Sequence, residues 1–442
     1  MRRMTRRSTC HDRGGSPNRG AQRRMRLARL LAPSLALGMA ATLVGTGAIS
    51  SASTKAKSTG VVKVGILASF SGTVPYGIDW LQGAQVAKAY IEANGGIMGE
   101  KISLIPEDEA ADPVDAVTVG RKMLALDHPN LVLGLAVLDW RDVMPILESA
   151  HMVTFTQIAD PFLDTHYLPY SFAADASDAL EGTAMVRYCQ IKGYKRVALV
   201  FDEESNAQTL LPAIKAAAKV AHISIVADPT LPVGVPSYEA EVQQIANAKP
   251  QALLTQVAPN TAGTFFPELA NTGFKSVPLV GSDSTLEPQF VTAAVSLGLE
   301  KNLVSVEAYS SIASTGGHIF ISGFKKLFHT TNYNVRSTYA YDGLTVAALA
   351  MTMAHSTNPA VYVKDILKVT TPGPGVTDVY SYKQGVQLLK QGKRIKYVGV
   401  GSNMTYNHFH RVSGAYEVAK LVNNVPAQLL IIPADSVSKL LK

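Results

Sequence analysis

The sequence predicts an α/β protein made of two doubly wound, parallel-sheet lobes in tandem. Short runs of β-branched and aliphatic residues alternate with segments whose apolar residues recur at helical spacing. Within the runs the apolar residues are consecutive rather than alternating, as suits strands buried on both faces of a parallel sheet. The series occurs twice, over residues 61–156 and again over 196–281.

The first unit sets the pattern. Val61, Val62, Val64, Ile66 and Leu67 read as a buried strand, and Ser69-Phe-Ser-Gly-Thr breaks it with turn residues. From Ile78 onward, Leu81, Ala84, Ala87 and Ile91 recur at helical spacing. Asn94-Gly-Gly stops that helix, because glycine accepts the left-handed conformation of a C-cap. Residues 101–105 are the next strand, completing a βαβ unit that should be right-handed. A helix follows at 114–128, a strand at 131–137, a helix at 142–150 and a strand at 152–156. The second lobe begins near Ala174. Its helices are expected at 182–191, 206–220, 238–247 and 261–271, and its strands at 196–201, 223–227, 252–256 and 278–281. Residues 287–355 are mixed, with a clear helix at 341–354, and Leu429-Leu-Ile-Ile reads as an added strand.

With 442 residues, 47% of them apolar and 17% charged, the chain can bury two real cores. Its net charge of +7 is concentrated at one end. Residues 1–52 hold ten arginines, no lysine and one acid, Asp12; the remainder has 31 basic and 33 acidic residues, a balance of −2. Nothing in that remainder points to a nucleic-acid partner. Residues 25–29 form a positive region, 30–49 an apolar one, and Ser50-Ser51-Ala52 offers small residues for cleavage, so 1–52 reads as a signal peptide with an arginine-rich extension. Met25 is a candidate start. An uncleaved anchor is the alternative, since the apolar stretch is about as long as a spanning helix. Residues 53–60 are a polar linker. No cysteine ends the apolar stretch, which gives no support to a lipid anchor, and Cys189 would be alone after cleavage, without an intramolecular disulfide.

Several spaced elements occur in a recognisable order: Gly65 to Gly72, Tyr76-Gly77, Gly83-Ala84, Asn94-Gly-Gly-Ile-Met-Gly99, and Glu107-Asp108 with Asp112-Pro113. They resemble the opening of the leucine-binding-protein family, the type I periplasmic binding proteins. These are extracytoplasmic solute-binding proteins of ABC importers for branched-chain amino acids, amides and similar solutes. The resemblance covers about residues 60–418. Residues 383–418 are similar to the family's closing segment, although Tyr406-Asn-His-Phe-His-Arg replaces a turn that commonly holds an aspartate. The resemblance implies two lobes joined by a hinge, with 61–173 and 285–355 in the first and 174–284 and 356–442 in the second. It also implies a small-molecule solute, a membrane permease as partner, a monomer, an extracytoplasmic location, no cofactor and no enzyme activity.

A cleft that holds a small polar solute draws its groups from the loops beyond the strand ends. Asp283 stands where the family places an acid for the solute's amino group; an Asx-turn or helix N-cap is its plain alternative. Tyr76 and Trp80 lie beyond the first strand as a possible aromatic wall, although Trp80 also suits a core. Leu138, Asp139 and Trp140 follow the third strand, where the family commonly has serine or threonine for a carboxylate. Asp139 would repel a carboxylate, which argues against an α-amino acid bound in the usual way; it also suits an N-cap near Arg141. Gln157, Ala159 and Asp160 follow the fourth strand, and Asp178 and Asn206 match further pocket positions. Pro259 and Asn260 are weaker candidates. Several acids and no clear arginine beyond Arg141 point to a cationic or amide-bearing solute rather than leucine.

Enzyme motifs are missing. There is no G-x-S-x-G elbow and no phosphate-binding G-x-x-x-x-G-K-[ST] loop, and Gly399-Val-Gly401 lacks the third glycine of a dinucleotide fingerprint. His408 and His410 alternate as on a strand and read as a surface feature. An exported sensory module is the alternative to transport.

Overall fold

The structure is a computed structural model that describes residues 60–72, 75–135, 140–274, 276–412, 414–423 and 425–441. The expected signal peptide and most of the linker lie outside the described residues. Among the described residues no helix is long and apolar enough to cross a membrane.

The first sheet contains β1 (Val61–Ala68), β2 (Lys101–Asp108), β3 (Leu131–Gly134), β4 (Thr154–Thr156) and β5 (Ser171–Ala173). Its order is β2-β1-β3-β4-β5 and every pairing is parallel. The second sheet contains β6 (Arg196–Phe201), β7 (Ser224–Ala227), β8 (Ala252–Gln256), β9 (Leu279–Gly281) and β10 (Leu303–Ala308). A separate parallel pair, β11 (Val376–Val379) and β12 (Arg394–Tyr397), lies between β10 and the last strands in sequence. β13 (Tyr416–Val422) and β14 (Val425–Ile432) then extend the second sheet antiparallel, giving the order β14-β13-β10-β9-β8-β6-β7. The expected added strand at Leu429 is part of β14.

The cores divide the tail differently from the expected boundaries. Phe290, Ala294, Leu303 and Val306 pack in the second lobe, whereas the resemblance implies the first for 285–355. Tyr362, Tyr382, Tyr397, Met404 and Val412 pack in the first lobe, although 356–442 was assigned to the second. The physical reason is β10, which pairs parallel with β9 and keeps the chain in the second sheet before it crosses. The chain thus passes between lobes near residues 174–176, 308–312 and 412–416. Two of these crossings are tied where Tyr309 N–H donates to the Ala415 carbonyl at 3.0 Å. Three adjacent crossings are the geometry of a hinge.

Helix Val335–Ala354 organises the first lobe. Residues 337–351 are all buried, so it has no solvent face. It lies against helix Gly77–Ala93, and Gly83 permits the approach: a Cβ there would fall 1.9 Å from the Ser337 carbonyl oxygen. Midway along it, Asp342 is fully buried and accepts from the Tyr397 hydroxyl at 2.7 Å, Val400 N–H at 2.8 Å and Gly401 N–H at 2.8 Å. Burial pushes its carboxyl up to about 7, against the pull of those donors. Asp342→Ala should therefore cost about 3 kcal/mol, because it strands several buried donors. The expected readout is a lower urea midpoint at unchanged slope. A midpoint equal to wild type would contradict this role.

Candidate ligand site between the two lobes

The first-lobe wall is built from the ends of β1 and β4 and the start of helix Val335–Ala354. Tyr76 is buried and its hydroxyl donates to Glu109. Asn334 caps the helix by accepting from Arg336 N–H at 3.0 Å. The Arg336 guanidinium donates through Nε to Gln157 Oε1 at 2.8 Å and stands 5.7 Å from the Tyr76 ring centre. Gln157 turns its Nε2 to Asp175 Oδ2 at 3.4 Å. Asp175 lies on the first crossing and also accepts from the Tyr339 hydroxyl at 3.1 Å.

The second-lobe wall is acidic. Asp178 and Glu181 sit in the first turn of helix Asp178–Ile191, and Asp283 follows β9. Asp283 N–H donates to Glu181 Oε1 at 2.7 Å, and the Thr209 hydroxyl donates to Asp178. Burial comes first in raising these carboxyls, and mutual repulsion adds to it. Asp283 is pushed up to about 7 by burial and by Asp175 and Glu287, with Arg336 pulling the other way. Asp178 and Glu181 are raised well above the ordinary range, by burial and then by Asp283. Asp175 is raised by burial against its hydrogen bonds. Further along β10, Glu307 is pushed up to about 8 by burial and by Glu417, its partner in the β10–β13 register.

The structure brings together Tyr76, Gln157, Asp178 and Asp283 through Arg336, Asp175 and Glu181. Ala159 joins them through its carbonyl, which accepts from Asp178 N–H at 2.9 Å. Asn206 is half-buried on the short helix Ser205–Gln208, and its carbonyl accepts from the same Thr209 hydroxyl that serves Asp178. Three expected residues stand elsewhere. Trp80 is fully buried in the first core with Ala84 and Ala87, because its helix turns that face to the sheet. Trp140 is buried in a lower core against Phe162, with Arg141 over its ring at 4.6 Å. Asp160 caps the 3-10 turn Pro161–Asp164 and pairs with Arg141 at 2.6 Å. Leu138 and Asp139 lie outside the described residues.

Sequence reasoning found no arginine beyond Arg141, whereas Arg411 is buried and Arg336 is largely buried here. Arg411 donates to the Ile158 carbonyl and pairs with Asp164 at 3.4 Å. Arg336 is the one at the cleft. Its signal was a lone cation heading an otherwise apolar helix. Asp175, Asp178 and Glu181 carried a similar signal, an acid every third residue in an apolar stretch. His410, read as a surface feature, is buried and stacks on Phe172 with ring centres 4.1 Å apart.

These groups imply a pH dependence of definite sign. Asp79, Asp283 and Glu307 have folded values of about 6, 7 and 8, above their ordinary 3.8, 3.8 and 4.5. The native state therefore holds more protons than the unfolded chain across that window, and their contribution is lost as pH rises through it. His410 acts oppositely: burial lowers it from 6.5 to about 4, so its contribution is lost as pH falls through that range. The acids outnumber the histidine, so calorimetry should give a higher melting temperature at about pH 5.5 than at about pH 8. A melting temperature rising steadily over that range would contradict the assignment.

A family model described as periplasmic binding protein matches residues 61–421. The chain is 28% identical over 169 residues to the Leu/Ile/Val-binding protein of Escherichia coli (strain K12), covering 37% of this chain and 46% of the relative. It is 25% identical over 225 residues to the Leu/Ile/Val-binding protein homolog 3 of Brucella melitensis biotype 1, covering 50% of this chain and 61% of the relative. The matched stretches thus span about half the length of these curated relatives. Among solved structures, the branched-chain amino acid transporter substrate-binding protein LivJ from Streptococcus pneumoniae, in complex with isoleucine, has a TM-score of 0.68 at 18% identity. That match covers 85% of this chain and all of the other. An ABC transporter solute-binding protein from R. palustris, in complex with benzoate, has a TM-score of 0.66 at 16% identity, covering 85% of this chain and 97% of the other. The structural likeness shows the fold, two lobes of the type I periplasmic binding protein kind. With the family model spanning most of the sequence, the chain belongs to the periplasmic binding protein family.

Proposed function

We propose that the chain is the extracytoplasmic substrate-binding protein of an ABC importer. It captures a small polar solute, an amino acid, an amide or a related compound, in the inter-lobe cleft and delivers it to a membrane permease. The observation that carries this reading is the pairing of unlike walls: Arg336 and Gln157 on one lobe, Asp178, Glu181 and Asp283 on the other. Carboxylates on the second wall accept hydrogen bonds from an ammonium or amide group. The lobes close about the three crossings, and the permease recognises the closed form. Export by residues 25–52 fits this location. The names of the relatives support the transport class, and the solved structures of like fold hold small carboxylates, isoleucine and benzoate.

The test is a thermal-shift screen of the purified protein against amino acids, amides, urea, polyamines and small carboxylates. A solute at one hundred times its dissociation constant adds about 2.7 kcal/mol. A nitrogen-bearing solute is expected to stabilise the wild type and to lose its effect in Asp283→Ala. A response confined to solutes without a nitrogen donor, such as benzoate, would overturn the assignment of the acidic wall.

A further inference from the structure

Arg336 and Glu287 meet across the cleft from opposite lobes. Arg336 heads helix Val335–Ala354, which is buried in the first lobe. Glu287 precedes helix Pro288–Leu297, whose Phe290 and Ala294 belong to the second lobe's core. Neither residue lies on a crossing. The Arg336 Nη1 donates to Glu287 Oε1 at 2.6 Å while its Nε donates to Gln157 at 2.8 Å. Asn334 Nδ2 reaches the other Glu287 oxygen at 3.5 Å. One guanidinium is thus held by a side chain from each lobe. The two side chains are only 18% and 31% exposed, so solvent screens the pair less than it would on an open surface.

A carboxylate resting on a guanidinium, with an amide on each side, is an arrangement by which proteins receive the carboxylate of a small molecule. Here the carboxylate belongs to the protein. Beyond it, Asp283 continues the same wall and feels both Glu287 and Arg336. The guanidinium and the acidic wall are therefore close enough to serve the two ends of one small solute.

We propose that Arg336 is the anion receptor of the cleft and that Glu287 competes with the solute's carboxylate for it. The inference rests on the reading of this cleft as the solute site and narrows the solute to one carrying both a carboxylate and a nitrogen donor. Glu287 then acts as a selectivity device. A solute that brings a carboxylate replaces the pair it breaks, whereas one without a carboxylate leaves a largely buried guanidinium without its counter-charge. The pair also draws the lobes together, so a solute that replaces it must take over the link between them.

The experiment uses acetate as the minimal carboxylate, with sodium chloride at equal concentration as the blank. The concentration of acetate that half-saturates the rise in melting temperature should be about tenfold lower in Glu287→Gln than in wild type. The response should disappear in the double variant Glu287→Gln/Arg336→Met and persist in Glu287→Gln/Arg336→Lys, which retains the charge should the methionine variant fold poorly. No acetate response in Glu287→Gln, or an equal response in wild type, overturns the proposal. Small-angle scattering supplies a second readout without any added solute. Glu287→Gln should enlarge the radius of gyration, and the exchanged pair Glu287→Arg/Arg336→Glu should restore it; an unchanged radius in Glu287→Gln overturns the part of the proposal that draws the lobes together. A solute screen that fails while the acetate response holds retires the transport reading alone. A successful screen with no effect of Glu287→Gln retires this pair alone.

Discussion

A helix buried on every side must find partners for the charges it carries, and much of this structure follows from that constraint on Val335–Ala354. Arg336, Tyr339 and Asp342 are three residues apart in sequence and so share one face of the helix. Arg336 finds Gln157 and Glu287, Tyr339 finds Asp175, and Asp342 finds Tyr397 with the backbone of Val400 and Gly401. Those partners come from β4, from the first crossing, from the second lobe and from the segment leading to the third crossing. One face thus ties the cleft, the hinge and the tail together. The helix can approach helix Gly77–Ala93 so closely because Gly83 leaves room for the Ser337 carbonyl.

The cleft is electrostatically lopsided as a consequence. The first lobe contributes a guanidinium, and the second contributes carboxylates that burial and mutual repulsion hold toward their neutral forms. Acids in this condition are poor partners for one another and good partners for an arriving ammonium or amide, which relieves the repulsion and accepts no new desolvation penalty from the wall. Binding energy can therefore come from groups that are already desolvated and oriented. The same arrangement makes the protein less tolerant of alkaline conditions.

Most of the parallel architecture was legible in the sequence. Consecutive apolar runs at residues 61–67, 196–201 and 252–256 are strands, the run expected at 131–137 is a strand over Leu131–Gly134, and Asn94-Gly-Gly ends its helix as expected. The loops after β1, β4 and β9 carry Tyr76 and Gln157 beside Arg336 and Asp283 onto Glu181. What escaped depended on distant pairing. β5 is three residues long, too short to show any period, and β10 lies in a mixed stretch that only its parallel partner β9 makes intelligible. The tail therefore packs with different boundaries from those its sequence suggests. Trp80 sat at a spacing that served a core and a cleft equally, and only the facing of its helix decides between them. Arg336 and Glu287 are 49 residues apart, and nothing local announces that they meet.

The most direct test of the account is a crystal structure of the protein with a bound solute. The solute should lie between the loops after β4 and β9, with its nitrogen within hydrogen-bond distance of Asp283. A solute ordered outside the cleft, or in the cleft with no polar contact to Asp283, Glu181 or Asp178, would contradict it.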